Sequence, residues 1–167
     1  ESFLLGVQGY GRFHTEEIDG AGRCLRQWPS QGHYLVSHDR LIRCVEMENV
    51  LPSKSRFVRL GREGVEPGPV LDDYHTTAPV LDSEGTVAFF RGGGLWTVDA
   101  SFSMVRRWMC PPSERRKTMS PARLSVDGAL AFGLGEVLLI FPGLMRGRAT
   151  GPWVCAGGNA QAKPVYR

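Results

Sequence analysis

The sequence has little excess charge of either sign and no long hydrophobic run. Its 167 residues carry a formal net charge of +3, and the basic residues are almost all arginine. The longest basic run, Arg115-Arg116-Lys117, is far from the dense basic face of a nucleic-acid-binding domain, so we predict no nucleic-acid partner. The longest apolar run, Val137 to Phe141, is much shorter than the roughly 20 residues that cross a bilayer. The sequence therefore predicts no membrane span.

Cysteine is scarce, and the cysteines are widely spaced. Cys24, Cys44, Cys110 and Cys155 lie 20, 66 and 45 positions apart. This spacing fits neither a zinc site nor the framework of a small disulfide-rich domain. We predict free, partly buried thiols, which favours a reducing compartment and hence the cytoplasm.

Motifs for catalysis, cofactors and metals are also missing. The glycine-rich stretches precede no predicted helix, so they lack the helix N-terminus that binds phosphate. No serine stands in a Gly-x-Ser-x-Gly motif. Strand residues five positions apart lie on opposite faces, so His33 and His38 would not share a metal. We predict no catalytic residue, no cofactor and no metal site. The histidines are His14, His33, His38 and His75.

The sequence does contain an internal repeat. Ile18–Trp28 returns eighty positions later as Val98–Trp108, with aspartate second and tryptophan last in both stretches. Gly85–Phe89 returns forty-three positions later as Gly128–Phe132. A period in the forties, with strand-forming residues between glycine turns, is typical of β-propeller blades. A β-sandwich also has short strands, but it has no reason to repeat the same residues at the same phase.

We therefore predict an all-β protein, a β-propeller segment of about three and a half to four four-stranded antiparallel blades. Residues 1–167 form a single partial propeller domain, and we expect it to belong to a larger ring because closed rings need four to eight blades. The alternative is a self-contained chain that closes its ring as a homodimer. The predicted blade units are 1–30, 31–61, 76–112 and 119–155, with 156–167 as the start of a further blade.

Some strands within these units are predicted individually. Gly32–Val36 aligns with a second strand of the repeat, Ser55–Leu60 is the predicted fourth strand of the same unit, and an outer strand is expected before Trp153. The repeated Asp19 and Asp99 are interpreted as acceptors for turn amides. The tryptophans are interpreted as core or blade-to-blade packing residues.

One repeat resembles a known family. Ala78–Val87, continuing through Gly94–Ala100 to Trp108, resembles a repeat of the quinoprotein-like (PQQ-like) propeller superfamily, whose pattern WD-type propellers partly share. The resemblance implies either a quinone-dependent dehydrogenase or a cofactor-free assembly or docking protein. The dehydrogenases need a calcium-holding cradle, a catalytic aspartate and often a vicinal disulfide. No adjacent cysteine pair occurs here, and Phe102 replaces a glycine of the tryptophan-docking signature, so we favour the non-enzymatic kind.

The connections between blades are the predicted functional region. In propellers, loops that lead from an outer strand to the next inner strand open around the central funnel, and here they differ in charge while the strands are alike. We predict a non-enzymatic scaffold that binds a protein partner through these loops. The candidate protein-binding residues are Asp72, Asp73, Tyr74, His75, Arg115, Arg116, Lys117 and Asn159.

An enzyme fragment is the alternative function. A quinone-dependent dehydrogenase or a propeller hydrolase could keep part of its site outside this chain. A sensor propeller attached to a signalling domain is a third option.

Overall fold

The protein folds as a series of antiparallel β-sheets. The structure, a computed structural model, describes residues 2–9, 12–47, 55–73, 76–151 and 154–155. Among these, a 3₁₀ turn at Pro112–Glu114 is the one helical element, and no helix is long and apolar enough to cross a membrane. The all-β prediction is confirmed. The strands are β1 (Ser2–Gly9), β2 (Arg12–Asp19), β3 (Cys24–Trp28), β4 (Gly32–Val36), β5 (Ile42–Glu46), β6 (Arg56–Gly61), β7 (Gly64–Val70), β8 (Val80–Leu81), β9 (Val87–Arg91), β10 (Gly94–Val98), β11 (Met104–Met109), β12 (Arg123–Leu124), β13 (Leu130–Leu134) and β14 (Val137–Phe141).

Each sheet consists of consecutive strands, each paired with the next. We call the sheets blades 1 to 4: β1 to β3, β4 to β7, β8 to β11, and β12 to β14. Blades 2 and 3 have four strands, and the described parts of blades 1 and 4 have three. Every pairing is antiparallel.

Blade 2 differs from its predicted strand assignment. Gly32–Val36 is the first strand of this sheet and not the second, and the predicted fourth strand, Ser55–Leu60, corresponds to the third strand, β6. The fourth strand is β7, which lies beyond the end of the predicted unit at residue 61. Its two prolines and two glycines hide the strand pattern in the sequence, and an edge strand tolerates proline because one side of its backbone needs no ladder hydrogen bonds.

Blade 4 has no outer strand before Trp153 in the described residues, contrary to the prediction. Trp153 itself lies outside them. After a turn beginning at Pro142, the chain returns to the first strand of blade 3, where Ala149 N donates to Leu81 O (3.2 Å) and Leu81 N donates to Val154 O (3.1 Å). We call residues 145–151 and 154–155 the inner segment. It lies against the free edge of β8 in place of a fourth strand on β14.

The core lies between the blades. Successive side chains of a strand point to opposite faces, and in β9 both faces are buried. Ala88 and Phe90 pack with blade 4, whereas Val87 and Phe89 pack with blade 2. Burying one phenylalanine side chain contributes about 1.5–3 kcal/mol, so each blade depends on a neighbour on either side. A third cluster joins blades 1 and 2; it contains Trp28, Ile42, Cys44, Val58 and Leu60.

Two repeated tryptophans connect neighbouring blades in the same way. Trp28 of β3 donates its indole N–H to Gly61 O at the end of β6, at 2.9 Å. Trp108 of β11 lies 5.7 Å, ring centroid to ring centroid, from Phe141 at the end of β14. In both cases the side chain reaches from an outer strand to the end of the next blade's third strand. The predicted blade-to-blade packing is confirmed for these two residues.

A buried arginine fastens blade 3 to blade 2. Arg91, the last residue of β9, is only 2% exposed. Its Nε donates to the backbone oxygens of Asp72 (3.0 Å) and Asp73 (2.8 Å), and its Nη2 also bonds to Asp73 O. Its Nη1 donates to Glu46 O (2.7 Å), and its Nη2 donates to Ser55 Oγ (2.6 Å). One guanidinium thus holds the loop between the blades and both ends of the β5–β6 connection.

Replacing Arg91 by alanine should lower the free energy of unfolding by about 3 kcal/mol, because several buried carbonyl groups lose a charged donor. Urea unfolding followed by tryptophan fluorescence measures the change. Arg62→Ala is the control, since Arg62 is exposed at the β6–β7 turn, and it should cost less than about 0.5 kcal/mol. Equal losses for the two variants would contradict this role of Arg91.

Candidate functional site

The strand ends form two different surfaces. We call the first the loop face; it consists of the connections between blades, at 71–79 and 110–122, and the β9–β10 and β13–β14 turns. We call the second the aspartate face; it consists of the turn after β2 in blade 1 and of the turns that follow the first and third strands of blades 2 to 4. Of the predicted protein-binding residues, Asp72, Asp73, Arg115, Arg116 and Lys117 belong to the loop face.

Asp72 and Asp73, which we call the acidic loop, lie against one side of the β9–β10 turn. A Cβ added at Gly92 would lie 3.2 Å from Asp73 Cβ. Asp72 and Asp73 are both exposed, while their backbone oxygens accept the bonds from Arg91. The two carboxylates are therefore exposed on a backbone that the buried Arg91 side chain holds in place. Tyr74 and His75, the other two predicted residues of this loop, lie outside the described residues.

Residues 114–117, which we call the basic loop, lie against the other side of the same turn. A Cβ at Gly93 would lie 2.6 Å from Arg115 Cγ, and one at Gly135 of the β13–β14 turn would lie 2.7 Å from Lys117 Cδ. Lys117 Nζ also forms an ion pair with Glu114 Oε2 at 2.6 Å. The loop thus spans the turns of blades 3 and 4. Arg115, Arg116 and Lys117 are exposed, and Asn159 lies outside the described residues.

Aspartates shape the turns of the aspartate face. Asp99 Oδ1 accepts from Ser101 N (2.8 Å) and Ser103 N (3.0 Å). Asp19 Oδ1 accepts from Ala21 N (2.9 Å) and Arg23 N (3.0 Å) at the equivalent turn of blade 1. The predicted structural role of both aspartates is confirmed. Hydrogen bonds lower their pKa, from the Ser101 side chain for Asp99 and from the Arg23 backbone for Asp19.

The turns after the first strands use the same device. Asp39 and Asp127 each accept a bond from a serine hydroxyl two residues earlier, which lowers the pKa of both carboxyl groups. Asp82 is 2% exposed, and its Oδ1 accepts from Glu84 N (3.0 Å) and Thr86 N (2.8 Å). From the sequence, the role of amide acceptor is predicted only for Asp19 and Asp99, which recur in the tryptophan-containing repeat.

A polar cavity opens between two of these turns. It holds about 350 Å³ and lies between the first turns of blades 2 and 3, with the inner segment as its third wall. Arg43 of β5 is 5% exposed and reaches into it. Burial lowers the pKa of Arg43, but a guanidinium still carries its charge at neutral pH. This cavity could not be predicted from the sequence, because its walls come from three distant parts of the chain. Its charged lining residues are Asp39, Arg43, Asp82, Glu84 and Arg148.

Histidines and cysteines form no cluster in the described ranges. There, no three side chains of His, Cys, Asp or Glu are grouped in a way that could hold a metal ion. The described His33 is partly buried, and burial lowers the pKa of its ring. All four cysteines are free thiols, as predicted; Cys44, Cys110 and Cys155 are buried and Cys24 is exposed.

The comparisons with known proteins support the architecture. No family model and no curated protein matches the sequence. Among solved structures, the chain is similar to a catalytically inactive virginiamycin B lyase from Staphylococcus aureus with quinupristin, at 13% identity and a TM-score of 0.53, over 80% of this chain and 49% of that one. It is also similar to a streptogramin B lyase, at 15% identity and a TM-score of 0.53, over 85% of this chain and 58% of that one.

The chain therefore spans about half the length of these lyases. At such low identity the likeness shows the fold alone, and that fold is the predicted β-propeller. The quinoprotein-like resemblance agrees with these structures only at the level of the propeller.

The aspartate turns should make the free energy of unfolding depend on pH in the acidic range. A carboxyl whose pKa is lower in the folded state stabilises the fold above its unfolded pKa of about 3.9, and this contribution is lost as pH falls through the lower folded pKa. Changing Asp19, Asp39, Asp99 and Asp127 together to asparagine should weaken the protein at pH 7 and flatten its loss of stability towards pH 2. Urea unfolding at several pH values measures this. Glu63→Gln, at the exposed β6–β7 turn, is the control, and an unchanged pH profile in the fourfold variant would refute the prediction.

Proposed function

We propose that the chain is part of a β-propeller that docks a protein partner on its loop face. One observation carries the proposal: the acidic and basic loops lie on opposite sides of the same Gly92–Gly93 turn, and both expose their charged side chains. Loops that a rigid scaffold holds in place are the usual location of binding residues. Tyr74, His75 and Asn159 remain predicted members of this surface.

Rigidity of the loop face supports a docking role. Arg91 holds the backbone of Asp72 and Asp73, and the Glu114–Lys117 ion pair lies across the basic loop. Ordering a mobile side chain on binding costs about 0.5–1.5 kcal/mol. A surface whose backbone is already fixed avoids part of that cost.

The chemistry of the loop face indicates the kind of partner. Arg115 and Arg116 would attract an acidic patch, and Asp72 across the glycine turn would orient it by repelling acidic groups and attracting basic ones. Met47, which directly follows the Arg91-bound residue Glu46, lies outside the loop face as defined but next to it, and its 48% exposed side chain would add an apolar contact. We therefore propose a folded protein partner with an acidic patch beside a basic one.

An enzymatic role is the second candidate. It rests on one observation, that both solved structures reported above are streptogramin B lyases. If the chain shares that activity, incubation with quinupristin should consume the intact compound, which chromatography measures. No loss above the background without protein would count against this candidate.

The homodimer predicted from the sequence also stays a prediction, and light scattering tests it.

Reversing charge on the basic loop should weaken docking. With Arg115→Glu/Arg116→Glu as bait, partner recovery from a lysate of the source organism should fall by about tenfold at about 50 mM salt, and the difference should shrink at about 500 mM because salt screens exposed charges. Quantitative mass spectrometry of the bound proteins measures both values.

Arg62→Glu is the matched control, because Arg62 is exposed at the β6–β7 turn, away from the loop face. The proposal requires a protein that the wild-type chain and the Arg62→Glu variant retain and the double variant loses. Identical sets of bound proteins for all three baits would refute it.

A further inference from the structure

The cavity on the aspartate face has the features of a small-ligand site, independent of docking on the loop face. Its volume of about 350 Å³ lies near the lower end of the usual range for ligand pockets, roughly 300–1,000 Å³. Three structural units form its walls: the turn at Ser37–Asp39, the turn at Asp82–Gly85, and residues Arg148–Thr150 of the inner segment.

Arg43 is the central feature of the cavity. Its Nη1 donates to Ser37 Oγ at 2.8 Å, whereas a guanidinium has five N–H donors. Among the described residues it makes no ion pair, although it is 5% exposed. A Cβ at residue 85 would lie 2.8 Å from its Nη2, so Gly85, at φ +84°, leaves the space that this group occupies. The fold thus keeps a buried cation beside an open polar space.

The carboxylates around the cavity are already engaged by their own turns. Asp39 Oδ1 accepts from Leu41 N at 3.1 Å. Asp82 uses Oδ1 for two turn amides and Oδ2 for Arg146 N at 3.2 Å, and Glu84 forms an ion pair with Arg146 at 3.2 Å. The second cationic lining residue, Arg148, is exposed and makes no ion pair in the part of the chain that the structure describes.

We propose that this cavity binds a small organic carboxylate, held by Arg43 and Arg148. Arginine recognises a carboxylate through two parallel N–H···O bonds, and such charge-assisted bonds are about twice as strong as neutral ones. A carboxylate with one or two charges fits better than a phosphate, because the surrounding Asp39, Asp82 and Glu84 would repel a compact dianion more strongly.

The test is titration of the full chain with succinate, acetate and inorganic phosphate, followed by heteronuclear NMR. Saturable shifts in the Ser37–Asp39 and Asp82–Gly85 turns are expected with the two carboxylates, and with phosphate only more weakly. Arg43→Gln should weaken succinate binding by at least about tenfold, since it removes the charged donor. Arg148→Gln should weaken it as well, and because Arg148 is exposed this second variant keeps the test valid if Arg43→Gln does not fold. Arg107→Gln, on an outer strand, should bind like the wild type.

Three results would overturn the proposal. The first is the absence of a saturable shift with either carboxylate at about 100 mM, a concentration at which even a weak millimolar site would be nearly full. The second is tighter binding of phosphate than of succinate. The third is unchanged succinate binding in folded Arg43→Gln or Arg148→Gln. None of them bears on the loop face, so this site and the proposed docking function fail or succeed separately.

Discussion

Strands β5 and β9, in the middle of blades 2 and 3, bury both of their faces, and the packing of the blades in series follows from this. In β9 and β10, alternate side chains enter two different clusters, one shared with blade 2 and one with blade 4. A sheet of this kind exposes a large apolar face if either neighbour is missing, so blades must pack in series. Solvent therefore reaches these two central strands mainly at their ends, where binding chemistry can be built.

The connections at the two ends of the strands are fixed by side chains of opposite charge. On the loop face a single cation, Arg91, gathers backbone oxygens from two separate connections. On the aspartate face several turns carry their own aspartate, which accepts bonds from nearby amides, as Asp82 and Asp99 do. The first arrangement joins blades to one another, whereas the second fixes each turn separately. Asp39 and Asp82 lie near Arg43 and attract it, but their carboxylates accept bonds from backbone amides, and neither forms an ion pair with Arg43 in the described residues.

The internal repeat predicted most of the fold because equivalent blades must satisfy the same local requirements. The turns at Asp19 and Asp99 and the tryptophans at 28 and 108 could be recognised on that basis. Strand β7 could not, because Pro67 and Pro69 mask its pattern, and the inner segment has no counterpart in the repeat. The cavity was also beyond prediction, since its lining residues meet only through contacts between distant parts of the chain. Asp72 and Arg115 could be identified as loop residues, but not their placement on either side of the Gly92–Gly93 turn.

The inner segment has a consequence for the order of folding. Most strand pairs here are hairpins that close over a few residues, whereas the bond between Arg146 N and Asp82 Oδ2 joins residues 64 positions apart. Each doubling of a loop adds about 0.6 kcal/mol of closure entropy, so this contact costs about 2 kcal/mol more to close than a turn of about four residues. Blades 3 and 4 should therefore form before the inner segment attaches to them. Until that step, β8 presents a bare edge, which makes the nascent chain most prone to intermolecular strand pairing at its innermost strand.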